Sequence, residues 1–115
     1  MIDVILHDYI ESELQTVPVF MEQPTNPPDE YVILRMMDVG RRNKIDAATF
    51  DVLIRAESLY KTALLRDRVK EILFDAITLD SISSSELGGG QLQVETANHV
   101  YQAELIFNFY YYEED

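Results

Sequence analysis

The chain contains no cysteine, which excludes disulfide staples and thiolate chemistry together. It has no apolar run approaching the roughly 20 residues that a membrane-spanning helix needs. The opening MIDVILHDY offers neither a basic leader nor a small-residue cleavage site, so intracellular synthesis is the expectation. Lysine and arginine are missing from both flanks. All nine basic residues fall within 35–70, where five acids leave that segment at +4, while the whole chain carries −12. Such a balance argues against a specific duplex nucleic-acid partner, because affinity there comes from bases neutralising phosphates. The segregation itself is either solvated surface or a basis for face-to-face pairing between copies.

The 115 residues suit one domain, 1–115, large enough to bury a core without staples. Ile2, Ile5, Leu6, Tyr9, Ile10 and Leu14 recur at helical spacing and predict an amphipathic N-terminal helix that ends before Val17-Pro18. Residues 17–21 read as a short strand, which Pro18 marks as an edge. Residues 21–30 hold three prolines, including the pair Pro27-Pro28, and form a restrained, extended loop.

From Tyr31 the period changes to two. Val32, Leu34 and Met36 share one face; Tyr31, Ile33, Arg35 and Met37 share the other. A second alternating run sets Ala48, Phe50, Val52 and Ile54 against Thr49, Asp51, Leu53 and Arg55. Placing Gly40 opposite Lys44 leaves a three-residue turn, Arg41-Arg42-Asn43, and predicts a β-hairpin with a basic tip. The longest helix is expected over 58–77, with Thr62, Leu65, Val69, Ile72, Leu73 and Ala76 buried. Tyr60 and Leu64 form a smaller apolar flank shared with Phe74, which is either a widened buried face or a contact with a second subunit.

After a Ser/Gly-rich link with Gly88-Gly89-Gly90, the chain closes on HVYQAELIFNFYYYEED. There Tyr101, Ala103, Leu105, Phe107, Phe109 and Tyr111 alternate with Val100, Gln102, Glu104, Ile106, Asn108 and Tyr110, as in a long central strand. The expected fold is α+β: a mainly antiparallel sheet of four to five strands with two helices packed on one face. The other face then carries Tyr31, Ile33, Met37, Leu53, Ile106, Tyr110 and Tyr112 among charges, a mixture typical of subunit contacts.

Catalytic candidates are poor. His7 and His99 share no motif, the carboxylates follow no metal-loop pattern, and the glycine run is not a strand-to-helix turn of the phosphate-binding kind. The chain reads as non-catalytic, with no cofactor and no metal.

The order of these features, with VPVFMEQPTNPPDEYVILRM, IDAATFDVLIRAES, a long helix and YQAELIFNFYYYEE, resembles the tail terminator (tail-completion) proteins of long-tailed bacteriophages. The resemblance covers nearly the whole chain in pattern and order and rests on no catalytic signature. It implies a ring, usually hexameric, that caps the tail tube, halts its polymerisation and presents a surface to the head connector. Partners would be other copies of the chain, the tail tube protein and head-tail connector proteins, with no membrane and with DNA passing through unbound. The free protein would be monomeric when dilute. Residence would be the virion tail, after synthesis in the bacterial host cytoplasm. Candidate interface residues are Arg41, Arg42 and Lys44 at the basic tip, Pro27 and Pro28 in the loop, Tyr60, Leu64 and Phe74 on the helix, and Tyr110 and Tyr112 on the last strand. Neck or minor capsid joining proteins have related architectures. A peptide-binding adaptor using the edge at 17–21 and a small hydrolase with a buried carboxylate pair are the readings from other classes.

Overall fold

A computed structural model describes residues 2–42, 45–90, 94–96 and 100–112. The elements follow the order helix α1 (Ile2–Leu14), strand β1 (Val19–Phe20), β2 (Tyr31–Arg42), β3 (Ile45–Ala56), helix α2 (Leu59–Phe74), β4 (Ile82–Gly89), β5 (Val94–Thr96) and β6 (Val100–Tyr111). The strands make a single sheet ordered β1-β2-β3-β6-β4, with β5 also on β6. All pairings are antiparallel except β1 with β2, so the fold is α+β.

The apolar periodicities account for the layering. Ile2, Leu6, Ile10 and Leu14 of α1 and Thr62, Leu65, Val69, Ile72 and Leu73 of α2 are buried against one sheet face. On that face β6 contributes Ala103, Leu105, Phe107, Phe109 and Tyr111, as its alternation predicts. Phe107 meets Phe74 edge-on at 5.1 Å and lies parallel to Phe109 at 5.9 Å, which puts aromatic packing at the centre of the core. Ile5, expected in the buried stripe of α1, is exposed, because the stripe narrows to every fourth residue.

Local polar groups set the helix ends. Lys61 N–H donates to Ser58 Oγ at 3.1 Å, with Ser58 in extended geometry, an N-cap that satisfies one of the free donors of the first turn. At its other end α2 stops at Phe74 and continues as one tight 3-10 turn, Asp75–Thr78, within the stretch expected to be helical. Arg68 of α2 donates to the carbonyls of Glu13 and Leu14, satisfying the unpaired C-terminal acceptors of α1 and fixing the two helices together.

The hairpin departs from its expected register. Met36 pairs with Phe50 and Asp38 with Thr49, so Met37 is an extra residue in a β-bulge. Below the bulge the paired numbers sum to an even value, as expected; above it they sum to an odd one. Gly40 therefore faces Ala47 rather than Lys44, and Arg42 faces Ile45, so the three-residue turn does not form. Asn43 and Lys44 lie outside the described residues.

Length mismatch shapes the rest. Twelve strand residues span about 40 Å and thirteen helix residues about 20 Å. The molecule measures 45 × 24 × 24 Å, with its long axis matching the strand length. The helical layer only just reaches the hairpin end, where Ile2 and Asp3 line a cleft with Met36 and Val39, and Met36, expected on the helix-covered face, is 44% exposed.

Candidate assembly interface

Strand register places the candidate residues at opposite ends of the molecule. Tyr31 pairs with Arg55, and Ser58, the α2 cap, follows two residues after Ala56, so Tyr60 and Leu64 belong to the end that receives the proline loop. Arg41 pairs with Asp46, and Tyr110 with Ala47 and Ser84, so these residues share the hairpin end. The candidates do not converge on one patch of one subunit.

At the loop end Tyr60 is 73% exposed and Leu64 is exposed as well. Leu64 lines a shallow cleft with Thr16, Val17, Glu30, Lys61 and Arg68, so the helix flank and the start of β2 adjoin each other. Phe74 does not belong to this flank. Its ring packs against Phe107 at the core edge, because it closes the last turn of α2 over β6. Pro27 and Pro28 are exposed on the loop. The loop is anchored at its start: Gln23 Nε2 donates to Tyr31 Oη at 3.3 Å, and Arg55 donates to Gln23 Oε1 and to Tyr31 Oη. This anchorage lies on the sheet face opposite the helices.

That outer face is less open than its sequence suggests. Tyr31, Ile33 and Leu53 are buried and form a second small cluster with Phe20, whose ring meets Tyr31 edge-on at 6.0 Å. Met37 and Tyr112 are exposed, and Ile106 and Tyr110 are half-buried. The most exposed apolar side chains of this face, Met37 and Tyr112, therefore lie toward the hairpin end.

The centre of the outer face holds a feature that sequence reasoning missed. Asp51, 3% exposed, receives Arg35 Nη2 on Oδ2 at 2.7 Å. Its Oδ1 is buried with no hydrogen-bond partner among the described residues, and the Glu104 carboxyl neighbours Asp51. The hydrogen bond to Asp51 raises the Glu104 pKa most, burial and the Asp51 charge add to the rise, and Arg35 opposes it. The pair meets only half of the hydrolase criterion: Asp51 is buried and Glu104 half-buried, one carboxylate is already held by an arginine, and neither lines the clefts at the helix, loop or hairpin. The alternation that put Asp51 and Glu104 on one face was legible; their diagonal approach needed the β3–β6 register.

At the hairpin end Arg41 Nε donates to Asp46 Oδ1 at 2.8 Å. Arg41 of the basic tip thus has a partner within its own subunit, Asp46 directly across the ladder. Met36, Val39 and Arg41 line a cleft with Ile2, Asp46 and Tyr111, where α1 stops short of the strands. Val39 is 56% exposed there.

His7 also has a defined role. One ring nitrogen lies 2.8 Å from Val19 O and the other 3.0 Å from Asp8 Oδ1, joining α1 to the edge strand β1. The bond to Asp8 raises its pKa most; partial burial opposes this, and the Val19 carbonyl, Glu11 and the Asp8 charge add to the rise.

Among the described residues no group of three or more His, Asp or Glu side chains is placed to hold a metal, and no helix is long and apolar enough to cross a membrane. No family model and no curated protein sequence matches the chain. Among solved structures, a chain from the virion of a native gene transfer agent particle superimposes with a TM-score of 0.65, at 13% identity, over 89% of this chain and 83% of its own length. At that identity the likeness is one of fold, and the α+β architecture built here from two helices on a mainly antiparallel sheet is one that a chain of that virion also carries.

Proposed function

We propose that this protein is a structural subunit of a phage or phage-like particle and, within that class, a tail terminator: a ring-forming protein that closes the tail tube, stops its polymerisation and joins the tail to the head. The observation that carries the reading is the fold shared with a gene transfer agent virion chain over most of both lengths. The element order and the segments that resemble tail terminators support the finer assignment. The surface fits a repeated head-to-tail contact, because the subunit carries more than one exposed apolar patch, with Tyr60 and Leu64 at the loop end and Met37 and Val39 at the hairpin end. Contacts that use two different patches generate rings when the rotation closes. Hexamer formation, binding to the tail tube protein and to head-tail connector proteins, and residence in the virion tail belong to the same proposal. No cofactor enters this role, and the chain charge of −12 suits a ring through which DNA passes without being held.

Negative-stain imaging of the concentrated protein, alone and with purified tail tubes, tests the reading. Rings in solution or caps on tube ends are expected. A protein that stays monomeric at every concentration and ignores tube ends contradicts it, and one that binds connectors but not tubes would be a neck protein instead.

A further inference from the structure

Among the described residues two edges of the sheet carry no further strand over part of their length. β1 pairs only with Val32 and Ile33, so among the described residues nothing pairs with the outer edge of β2 beyond Ile33. At the far side, among the described residues, β4 pairs with β6 alone. Long uncovered edges are templates for adding a strand. The two edges differ in charge. The β2 edge carries Arg35, Arg41 and Arg42 against Asp38, whereas β4 carries Glu86, and no lysine or arginine follows Lys70. A β2–β4 contact between copies sets the arginines of one edge against an edge that carries no base.

Direction and face agree as well. The neighbours β2, β3, β6 and β4 are antiparallel in turn, so β4 runs opposite to β2. Copies related by rotation about an axis near the strand direction would therefore meet antiparallel. Val39 pairs with Ala48, and Leu87 with Phe107, which puts both on the helix-bearing face. Both are exposed, Val39 at 56% and Leu87 at 43%. Bulges bound the regular stretch on each edge, between Met36 and Asp38 on β2 and between Ile82 and Ser84 and between Leu87 and Gly89 on β4. They hold the contact to a few residues and set its register.

We propose that these edges are the two halves of one subunit interface, with β2 residues 39–42 of one copy pairing antiparallel with β4 residues 84–87 of the next, so that Val39 covers Leu87. The inference rests on the ring reading above and specifies how the ring closes. A four-residue pairing is weak by itself, which suits a protein that assembles when concentrated or templated on a tube.

The absence of native cysteine makes the test direct. Chains carrying Val39→Cys and Leu87→Cys are mixed under assembling conditions and oxidised. The mixed disulfide is expected as the main product, with little cross-linking in either variant alone. A second variant uses the backbone. Val32 N–H donates to Pro18 O on β1, so outward N–H groups alternate along β2, and the extra residue at Met37 shifts them to Val39 and Arg41. Val39→Pro should therefore keep the β3 ladder and its circular dichroism while losing the assembled species. Assembly with no mixed disulfide, dominant Val39 self-cross-linking, or normal assembly of Val39→Pro would overturn the edge pairing and leave the ring reading standing. Failure of the unmodified protein to assemble, free or on tubes, would remove both.

Discussion

Glu104 on β6 lies beside Asp51 on β3, diagonal to it across the ladder, because Ile106, two residues along the strand, is the register partner of Asp51. Two acids at the centre of a sheet in a protein of charge −12 repel each other when both are charged, which favours the protonated form of Glu104, while Arg35 binds Asp51 Oδ2. The consequence for stability has a definite sign. Glu104 has a raised folded pKa, so the native state binds more protons than the unfolded chain above the ordinary value of 4.5. Stability therefore falls as pH rises from 4.5 through the folded pKa. Glu104→Gln, which keeps a donor for Asp51 without titrating, should flatten that dependence and be more stable than the native protein at neutral pH. Urea denaturation across the window checks this, and equal slopes for both proteins would contradict it.

His7 acts in the same direction through another contact. Its raised folded pKa means that its stabilisation is complete below the ordinary value of 6.5 and lost as pH rises through the folded pKa. The groups facing it are Asp8, Glu11 and the Val19 carbonyl. Hydrogen exchange should show β1 and the first half of α1 opening more readily as pH rises across this range. His7→Gln should remove the pH dependence, and unchanged exchange in the native protein would count against the α1–β1 clip.

The proline loop is predicted to be separable from the core. Pro27 and Pro28 are exposed, and the loop is held through Gln23, Tyr31 and Arg55 instead. Replacing both prolines by Ala should preserve the fold, cost at most about 1–2 kcal/mol and weaken assembly. Thermal denaturation and sedimentation would read the two effects apart. Loss of folding would assign the loop to the core.

The basic tip is no longer free of its own subunit. Reversing Arg41 and Arg42 to Glu sets like charges against Asp46, which should cost roughly 0.2–1 kcal/mol of subunit stability. The same change should disperse assemblies and remove their salt sensitivity. Lowered stability with intact assembly would limit Arg41 to its intramolecular ion pair.

Much of the fold was legible because its strongest signals are periodic. The β6 alternation from Ala103 to Tyr111 and the α2 stripe from Thr62 to Ala76 both occupy the core as read. What escaped depends on counts and distances that periodicity does not contain. One extra residue at Met37 moved the hairpin tip by a register step and brought Arg41 against Asp46. Phe74 was grouped with Tyr60 by helical angle alone, but it ends the helix where α2 passes over Phe107. Met36 was read as core because alternation gives the face and not how far the covering layer extends; comparing helix rise with strand rise would have exposed it. Tyr31, Ile33 and Leu53 looked like an open surface, although Phe20 and the anchored loop close over that end.

The most direct test of the central claim is tube length during polymerisation. Tail tube protein is allowed to elongate, the native chain is added at increasing concentration, and lengths are measured by electron microscopy. The account predicts that growth stops at ends bearing a ring, so that mean length falls with added protein, and that Val39→Pro leaves growth unaffected. Tubes that keep elongating in the presence of saturating native protein would contradict the terminator assignment.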